Sequence, residues 1–139
     1  MRRLRAVLVI AMAVLGSAIT ACTSSSSSSS SKPPLCSAVA QLKSSVTNMK
    51  QLDLNANTLN KLRSDLNTVQ ANVQTVSREA KGHYSSDVSQ VRASSAAAQT
   101  AATNAKNNPS ASTLAAVGTA VTTLASDVAA LANAVKASC

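Results

Sequence analysis

The sequence predicts an all-α protein, an antiparallel up-down-up-down four-helix bundle with coiled-coil-like heptad packing. Apolar residues recur at alternating steps of three and four through most of residues 35–139, which is the spacing of seams between helices in a shallow left-handed supercoil. Short breaks rich in turn-forming residues divide this pattern into four runs, and short connections make successive helices antiparallel neighbours. Cys36 and Cys139 flank the pattern. They can meet when the number of helices is even, so their positions independently favour four helices over three or five.

The first 21 residues have the three parts of a secretory signal peptide. Arginines at positions 2, 3 and 5 precede an apolar stretch at 6–15 and a small-residue stretch at 16–21. A transmembrane helix needs ~20 consecutive apolar residues, whereas Gly16 and Ser17 interrupt this run after ten. We therefore expect residues 1–21 to be removed rather than to span the membrane.

Cys22 directly follows Ile19, Thr20 and Ala21. An aliphatic residue, two small residues and a cysteine match all four positions of a lipobox, so residues 1–22 resemble the signal segment of bacterial lipoproteins. The resemblance implies cleavage before Cys22, a diacylglyceryl group on its sulfur, and room for a further acyl chain such as palmitate on the new amino group. Two or three chains would hold the protein stably on a membrane, since each buried methylene contributes ~0.8 kcal/mol. The alternative is an ordinary signal peptide with Cys22 present by chance.

Residues 22–34 form the predicted linker, the lipidated cysteine followed by a Ser/Pro-rich stretch. Eight serines at 24–31 have no apolar surface to bury, so they favour a flexible chain, and about ten such linker residues span roughly 15 to 20 Å on average. Pro33 and Pro34 disfavour helix immediately before Leu35. The linker would lift a folded body at 35–139 off the lipid headgroups.

Four apolar seams account for the predicted bundle. The third is the weakest, because its Ala- and Ser-rich stretch at 93–98 gains little from burial, although small side chains allow close backbone approach. Its small residues can serve tight packing against larger neighbours, or they can leave a groove for a partner helix or an apolar ligand. The seams are Leu35, Val39, Leu42, Val46 and Met49; Leu59, Leu62, Leu66, Val69, Val73, Val76 and Ala80; Tyr84, Val88, Val91, Ser95, Ala98, Ala102 and Ala105; and Leu114, Val117, Val121, Leu124, Val128, Leu131 and Val135.

The breaks between the seams contain residues that end and begin helices. Residues 53–57 favour turns and N-caps, and Gly82 is suited to a left-handed conformation after the second helix. Ser85 or Ser86 can cap the third helix, with Asp87 in its first turn. Residues 107–109, two asparagines and a proline, should end that helix, and Ser110 or Ser112 can start the fourth.

Cysteine usage and composition describe a small exported domain with an aliphatic core. The chain has no Phe or Trp and one Tyr, and about 105 residues follow the linker. Lipidation of Cys22 leaves two cysteines, Cys36 and Cys139, and export places them in a compartment where disulfides persist. We therefore expect them to be bonded; the alternative is two free thiols. A closed loop of about 100 residues could contribute ~4.7 kcal/mol. Without residues 1–21, the chain has ten Lys and Arg residues and five Asp and Glu residues, a net charge of +5.

The sequence predicts no catalytic residue, no cofactor-binding residue and no metal ligand. His83 stands beside Tyr84 after a glycine and is best interpreted as a turn residue. The five acids are scattered without the spacing of a metal or glycosidase site, and no glycine-rich phosphate loop is present. We therefore expect the protein not to be an enzyme, and a nucleic-acid partner is not expected outside the cell.

These features predict a non-enzymatic, lipid-anchored lipoprotein of the bacterial envelope, on the outer face of a membrane. It would be a monomeric helical interaction or structural module, joined to the membrane by lipid on Cys22, with an envelope protein or an anionic wall polymer as partner. Helical murein lipoproteins attach to the wall through a C-terminal lysine, whereas Lys136 is followed here by three further residues. Covalent attachment to the wall by that route is therefore not expected. The alternatives are a carrier or sensor of an apolar small molecule, bound beside the third helix, and an accessory subunit of an envelope complex.

Overall fold

The computed structural model describes residues 33–139, which form four α-helices and no strand. Each helix packs against the next one along the chain, and the fourth also packs against the first, which closes the ring. The predicted all-α four-helix bundle is confirmed. The predicted signal peptide at 1–21, the lipidation site at Cys22 and the linker up to residue 32 lie outside the described residues. The helices are α1 (Pro34–Lys50), α2 (Leu59–Glu79), α3 (Ser85–Asn107) and α4 (Ala111–Val135), and a short 3-10 turn (Lys136–Ser138) follows them.

The predicted seams form the core of the bundle. Every seam residue is buried except Leu35, Tyr84 and Leu114, which are half-buried at the ends of their helices. The largest fully buried side chains are leucines, valines and one methionine, among them Leu62 and Leu124. Because burial of a Val or Leu side chain contributes ~1.5–3 kcal/mol, these residues supply most of the apolar stabilisation.

Small side chains bring α3 and α4 close together. Ala98, Ala102 and Ala105 have no exposed surface, and α3 and α4 share the most extensive contact between any two helices. Close backbone approach compensates for the small area that each alanine buries. At these three positions the structure agrees with the packing interpretation of the third helix. The segment Ala111–Ser138 is long and apolar enough to cross a membrane by length and composition alone, but its seam is buried against the other helices.

The connection between α1 and α2 is held by an asparagine. The Asn55 Oδ1 atom accepts hydrogen bonds from the backbone N–H groups of Asn57 and Thr58, at 2.9 and 3.2 Å. This arrangement confirms the predicted turn at 53–57. Leu52 and Leu54 are half-buried and pack against the core from this connection, so the loop also covers one end of the bundle.

The connection between α2 and α3 reverses the chain through three left-handed residues, Lys81 (φ +48°), Gly82 (φ +86°) and Tyr84 (φ +60°). The left-handed conformation of Gly82 was predicted correctly. The predicted cap at Ser85 or Ser86 is wrong, because Tyr84 occupies the N-cap position and its side chain makes no capping hydrogen bond. Tyr84 is fixed by its packing against the core and by a hydrogen bond with Ser138. Both serines therefore fall inside the helix.

A reciprocal capping box starts α4. The Ser110 Oγ atom accepts a hydrogen bond from the Thr113 backbone N–H at 3.2 Å, and the Thr113 Oγ1 atom accepts one from the Ser110 backbone N–H at 3.0 Å. Such a box satisfies two backbone donors that a helix start otherwise leaves unpaired. Of the two predicted capping residues, Ser110 is the one used.

Candidate functional sites: the disulfide end and the α2–α3 groove

The Cys36 and Cys139 sulfurs lie at bonding distance, 2.07 Å, with their Cα atoms 5.8 Å apart. The bond joins the first turn of α1 to the residue that follows the 3-10 turn after α4. The first and last residues of the folded chain therefore lie at the same end of the bundle, which we call the disulfide end. The chain from Cys22 reaches the bundle at this end.

Exposed polar residues surround the disulfide end. Lys81, His83 and Lys136 are exposed there, and the Tyr84 hydroxyl shares a hydrogen bond with the Ser138 hydroxyl. The ring centroids of His83 and Tyr84 are 6.4 Å apart. This geometry agrees with the interpretation of His83 and Tyr84 as turn residues, with Tyr84 covering the end of the core.

The acidic residues are distributed over the bundle. The Asp65 carboxylate forms an ion pair with the Lys61 ammonium at 2.8 Å, one turn away on α2. Within residues 33–139, no group of three or more His, Cys, Asp or Glu side chains is placed to hold a metal ion. The bundle therefore offers no assembled metal centre in the part of the chain that the structure describes.

Among the four helices, positive charge is concentrated in the first half of the bundle, α1 and α2, although Asp53 in the α1–α2 connection and Lys136 after α4 reduce the difference. Helices α1 and α2 carry five exposed cations and two acids, whereas α3 and α4 carry two cations and two acids. An excess of one sign on a surface attracts polymers of the opposite sign, and salt screens that attraction. The cations of the first half are Lys43, Lys50, Lys61, Arg63 and Arg78.

A groove of about 400 Å³ lies between α2 and α3. Gln70, Val73 and Gln74 line it from α2, and Arg92 and Ser95 line it from α3. We call it the α2–α3 groove. Val73 and Ser95 are almost completely buried, whereas Gln74 and Arg92 are exposed at the rim.

Two hydrogen bonds join α2 to α3, one toward each end of the bundle from the α2–α3 groove. The Arg92 guanidinium donates to the Ser77 Oγ atom at 2.9 Å, and the Gln99 side-chain amide donates to the Asn67 Oδ1 atom at 3.0 Å. These pairs fix the antiparallel register of α2 and α3. That register places Ser95, midway along α3, opposite the two glutamines.

Ser95 has the one buried side-chain polar atom in residues 33–139 that makes no hydrogen bond. Its neighbour Ser94 donates to the backbone carbonyls of Gln90 and Val91, at 3.1 and 3.3 Å. Most buried polar atoms in folded proteins have a partner, so the Ser95 hydroxyl is unusual. The heptad pattern places Ser95 on the seam as a small residue, and no sequence signal identifies its hydroxyl as unpaired.

Comparison of the chain with protein-family models, curated proteins and solved structures finds no match.

Proposed function

We propose that this chain is a non-enzymatic lipoprotein of the bacterial envelope, anchored to the outer face of a membrane by lipid on Cys22. The observation that carries the proposal is the tetrapeptide of Ile19, Thr20, Ala21 and Cys22 after a basic and then an apolar segment. The mature protein then consists of the linker at 22–34 and a monomeric helical bundle that acts as an interaction or structural module.

The position of the linker supports this arrangement. Residues 23–32 separate Cys22 from the bundle, and a flexible chain of this length spans roughly 15 to 20 Å on average. The linker joins the bundle at the disulfide end, so this end would face the membrane. The opposite end, with the α1–α2 connection, would point into the envelope.

The charge distribution supports an anionic wall polymer as the partner of the bundle. The excess of cations on α1 and α2 would attract anionic groups. These cations lie along the length of the two helices and not only at the disulfide end, so a polymer beside the bundle could contact them. This contact would be electrostatic and sensitive to ionic strength. It requires no catalytic residue.

Membrane fractionation tests the anchor. The full chain, expressed in a bacterium, should sediment with membranes and leave them only in detergent, whereas the Cys22→Ser variant should appear in the soluble or secreted fraction. A Thr23→Ser variant is the matched control and should remain with the membranes. Sedimentation of the Cys22→Ser variant with membranes, while its bundle remains helical by circular dichroism, would contradict the proposal.

Binding to purified wall polymer tests the partner. The processed protein should co-sediment with an anionic wall polymer at low salt and be released at high salt. Replacement of Lys43 by glutamine should weaken this binding more than replacement of Lys106, which lies on the less positive half. Equal binding by all variants, or binding that salt does not change, would contradict the electrostatic contact.

A further inference from the structure

We infer that the α2–α3 groove binds a small organic anion, a carboxylate or phosphate monoester attached to a short aliphatic group. This site is independent of the proposed anchor and of the wall contact, because it lies on the side of the bundle and shares no residue with either. The inference rests on two observations: Arg92, Ser95, Gln70 and Gln74 line one groove, and the Ser95 hydroxyl is buried without a hydrogen-bond partner.

The polar groups of the groove are suited to an anion. Arg92, Ser95 and the two glutamines all carry hydrogen-bond donors, and no acidic side chain in the described part of the chain lines the groove. A guanidinium can donate two parallel hydrogen bonds to a carboxylate or phosphate, and such charge-assisted bonds are stronger than neutral ones. Arg92 also remains attached to Ser77 at 2.9 Å, which holds its head group at the rim.

The unpaired hydroxyl of Ser95 indicates what an occupant would supply. Ser95 has no exposed surface, and its Oγ atom lacks any partner. An unsatisfied buried hydroxyl destabilises a protein, and a hydrogen-bond acceptor in the groove would remove that cost. The long side chain of Gln74 is exposed and that of Gln70 half-buried, so both can move aside to let a ligand oxygen reach Ser95.

The size and floor of the groove define the rest of the ligand. Its volume of about 400 Å³ lies near the lower end of the range for small-molecule sites. Val73 forms an apolar part of the lining, against which a short aliphatic group can pack. The groove lies ten residues into α3, about 15 Å from the disulfide end at ~1.5 Å per residue. This distance favours a free ligand over the headgroup of a lipid in the anchoring membrane.

An NMR titration of the processed full chain in phosphatidylcholine nanodiscs tests this site. The probes are butanoate and butyl phosphate, with 1-butanol as the uncharged control. We expect saturable shifts of the Gln70 and Gln74 side-chain amides with at least one anion, and an affinity for 1-butanol lower by about tenfold or more. Anionic-lipid nanodiscs without a soluble probe should leave these amides unshifted; shifts there would show that a lipid headgroup occupies the groove and would overturn the free-ligand assignment.

Variants locate the site. Arg92→Gln should weaken butanoate or butyl phosphate binding by about tenfold or more, whereas Arg78→Gln, which removes the same charge from α2 outside the groove, should not. Ser95→Ala should weaken binding and raise the melting temperature by roughly 5 °C, because it removes an unpaired buried hydroxyl. Ser94→Ala is its control and should leave binding unchanged.

Three further outcomes would overturn the inference. The first is the absence of saturable shifts with either anion up to roughly 50 mM, beyond the millimolar affinity that ligands of about six to nine non-hydrogen atoms can reach. The second is equal anion binding by the Arg92 and Arg78 variants, which would place the anion elsewhere. The third is an affinity for 1-butanol equal to that for the anions, which would contradict the ligand class. Melting curves of every variant separate lost binding from lost folding.

Discussion

Reduction of the bond between Cys36 and Cys139 should lower the free energy of unfolding by about 4.7 kcal/mol at 25 °C. The bond closes a loop across a sequence separation of 103, and a cross-link removes more entropy from the unfolded chain as the loop becomes longer. For about 105 folded residues, the usual unfolding entropy of ~2.1 cal/mol/K per residue converts this loss to a fall of about 20 °C in melting temperature.

Thermal and urea unfolding of the processed protein, with and without reductant, measures this effect. The double variant Cys36→Ser/Cys139→Ser is the control: it should melt at the temperature of the reduced protein, and reductant should not change it. A fall of less than about 1 kcal/mol, in protein whose mass shows the gain of two hydrogens, would refute the loop-closure reasoning. The lipid on Cys22 would be attached by a thioether, so reductant would leave it in place.

Four further substitutions test the packing, the backbone at two glycines and the helix cap. Val121→Asp should abolish cooperative thermal unfolding, because it places an unpaired charge at a position that is 4% exposed. Gly82→Ala should lower the free energy of unfolding, measured in urea, by about 1 kcal/mol since Gly82 has a φ of +86°, whereas Gly118→Ala should raise it by up to about 1 kcal/mol in a helix with space for the methyl group. Ser110→Ala should lower it by about 1 kcal/mol through loss of the capping box.

Each of these expectations has a control or a contradicting result. Thr122→Asp lies beside Val121 but is exposed, so it should change stability by no more than about 0.5 kcal/mol. A normal melting curve for Val121→Asp would contradict the assigned core. The same sign of change for Gly82→Ala and Gly118→Ala would contradict the backbone argument, and an unchanged stability for Ser110→Ala would show that the capping box contributes nothing.

The helices and their buried faces could be predicted because a repeat of 3.5 residues leaves one consistent seam per helix. Leu35 and Leu114, in the first turns of α1 and α4, are half-buried, whereas Leu59 in the first turn of α2 is buried, so the repeat does not specify how far a terminal turn is covered. Leu52 and Leu54 were not identified as core-packing residues because they lie in a connection, where no period indicates the direction of a side chain. The cap of α3 was assigned to Ser85 or Ser86, but the N-cap is Tyr84, which packs against the core, so the helix starts one or two residues earlier than capping propensity suggests.

The disulfide and the groove differ in how far the sequence could predict them. The pairing of Cys36 with Cys139 followed from the number of cysteines in an exported chain once Cys22 is assigned to lipidation, and it agreed with an even number of antiparallel helices. The α2–α3 groove depends on the register of two helices, which places Gln70 and Gln74 opposite Ser95. A helical period specifies which face is buried but not which residues of two neighbouring helices stand at the same level.

The most direct test of the account is the intact mass of the protein extracted with mild detergent from membranes of a bacterium that expresses the full chain. We predict the mass of residues 22–139 plus a diacylglyceryl group, with or without one acyl chain, and a gain of two hydrogens on reduction. The mass of residues 1–139, or of a cleaved chain without lipid, would contradict the anchored lipoprotein.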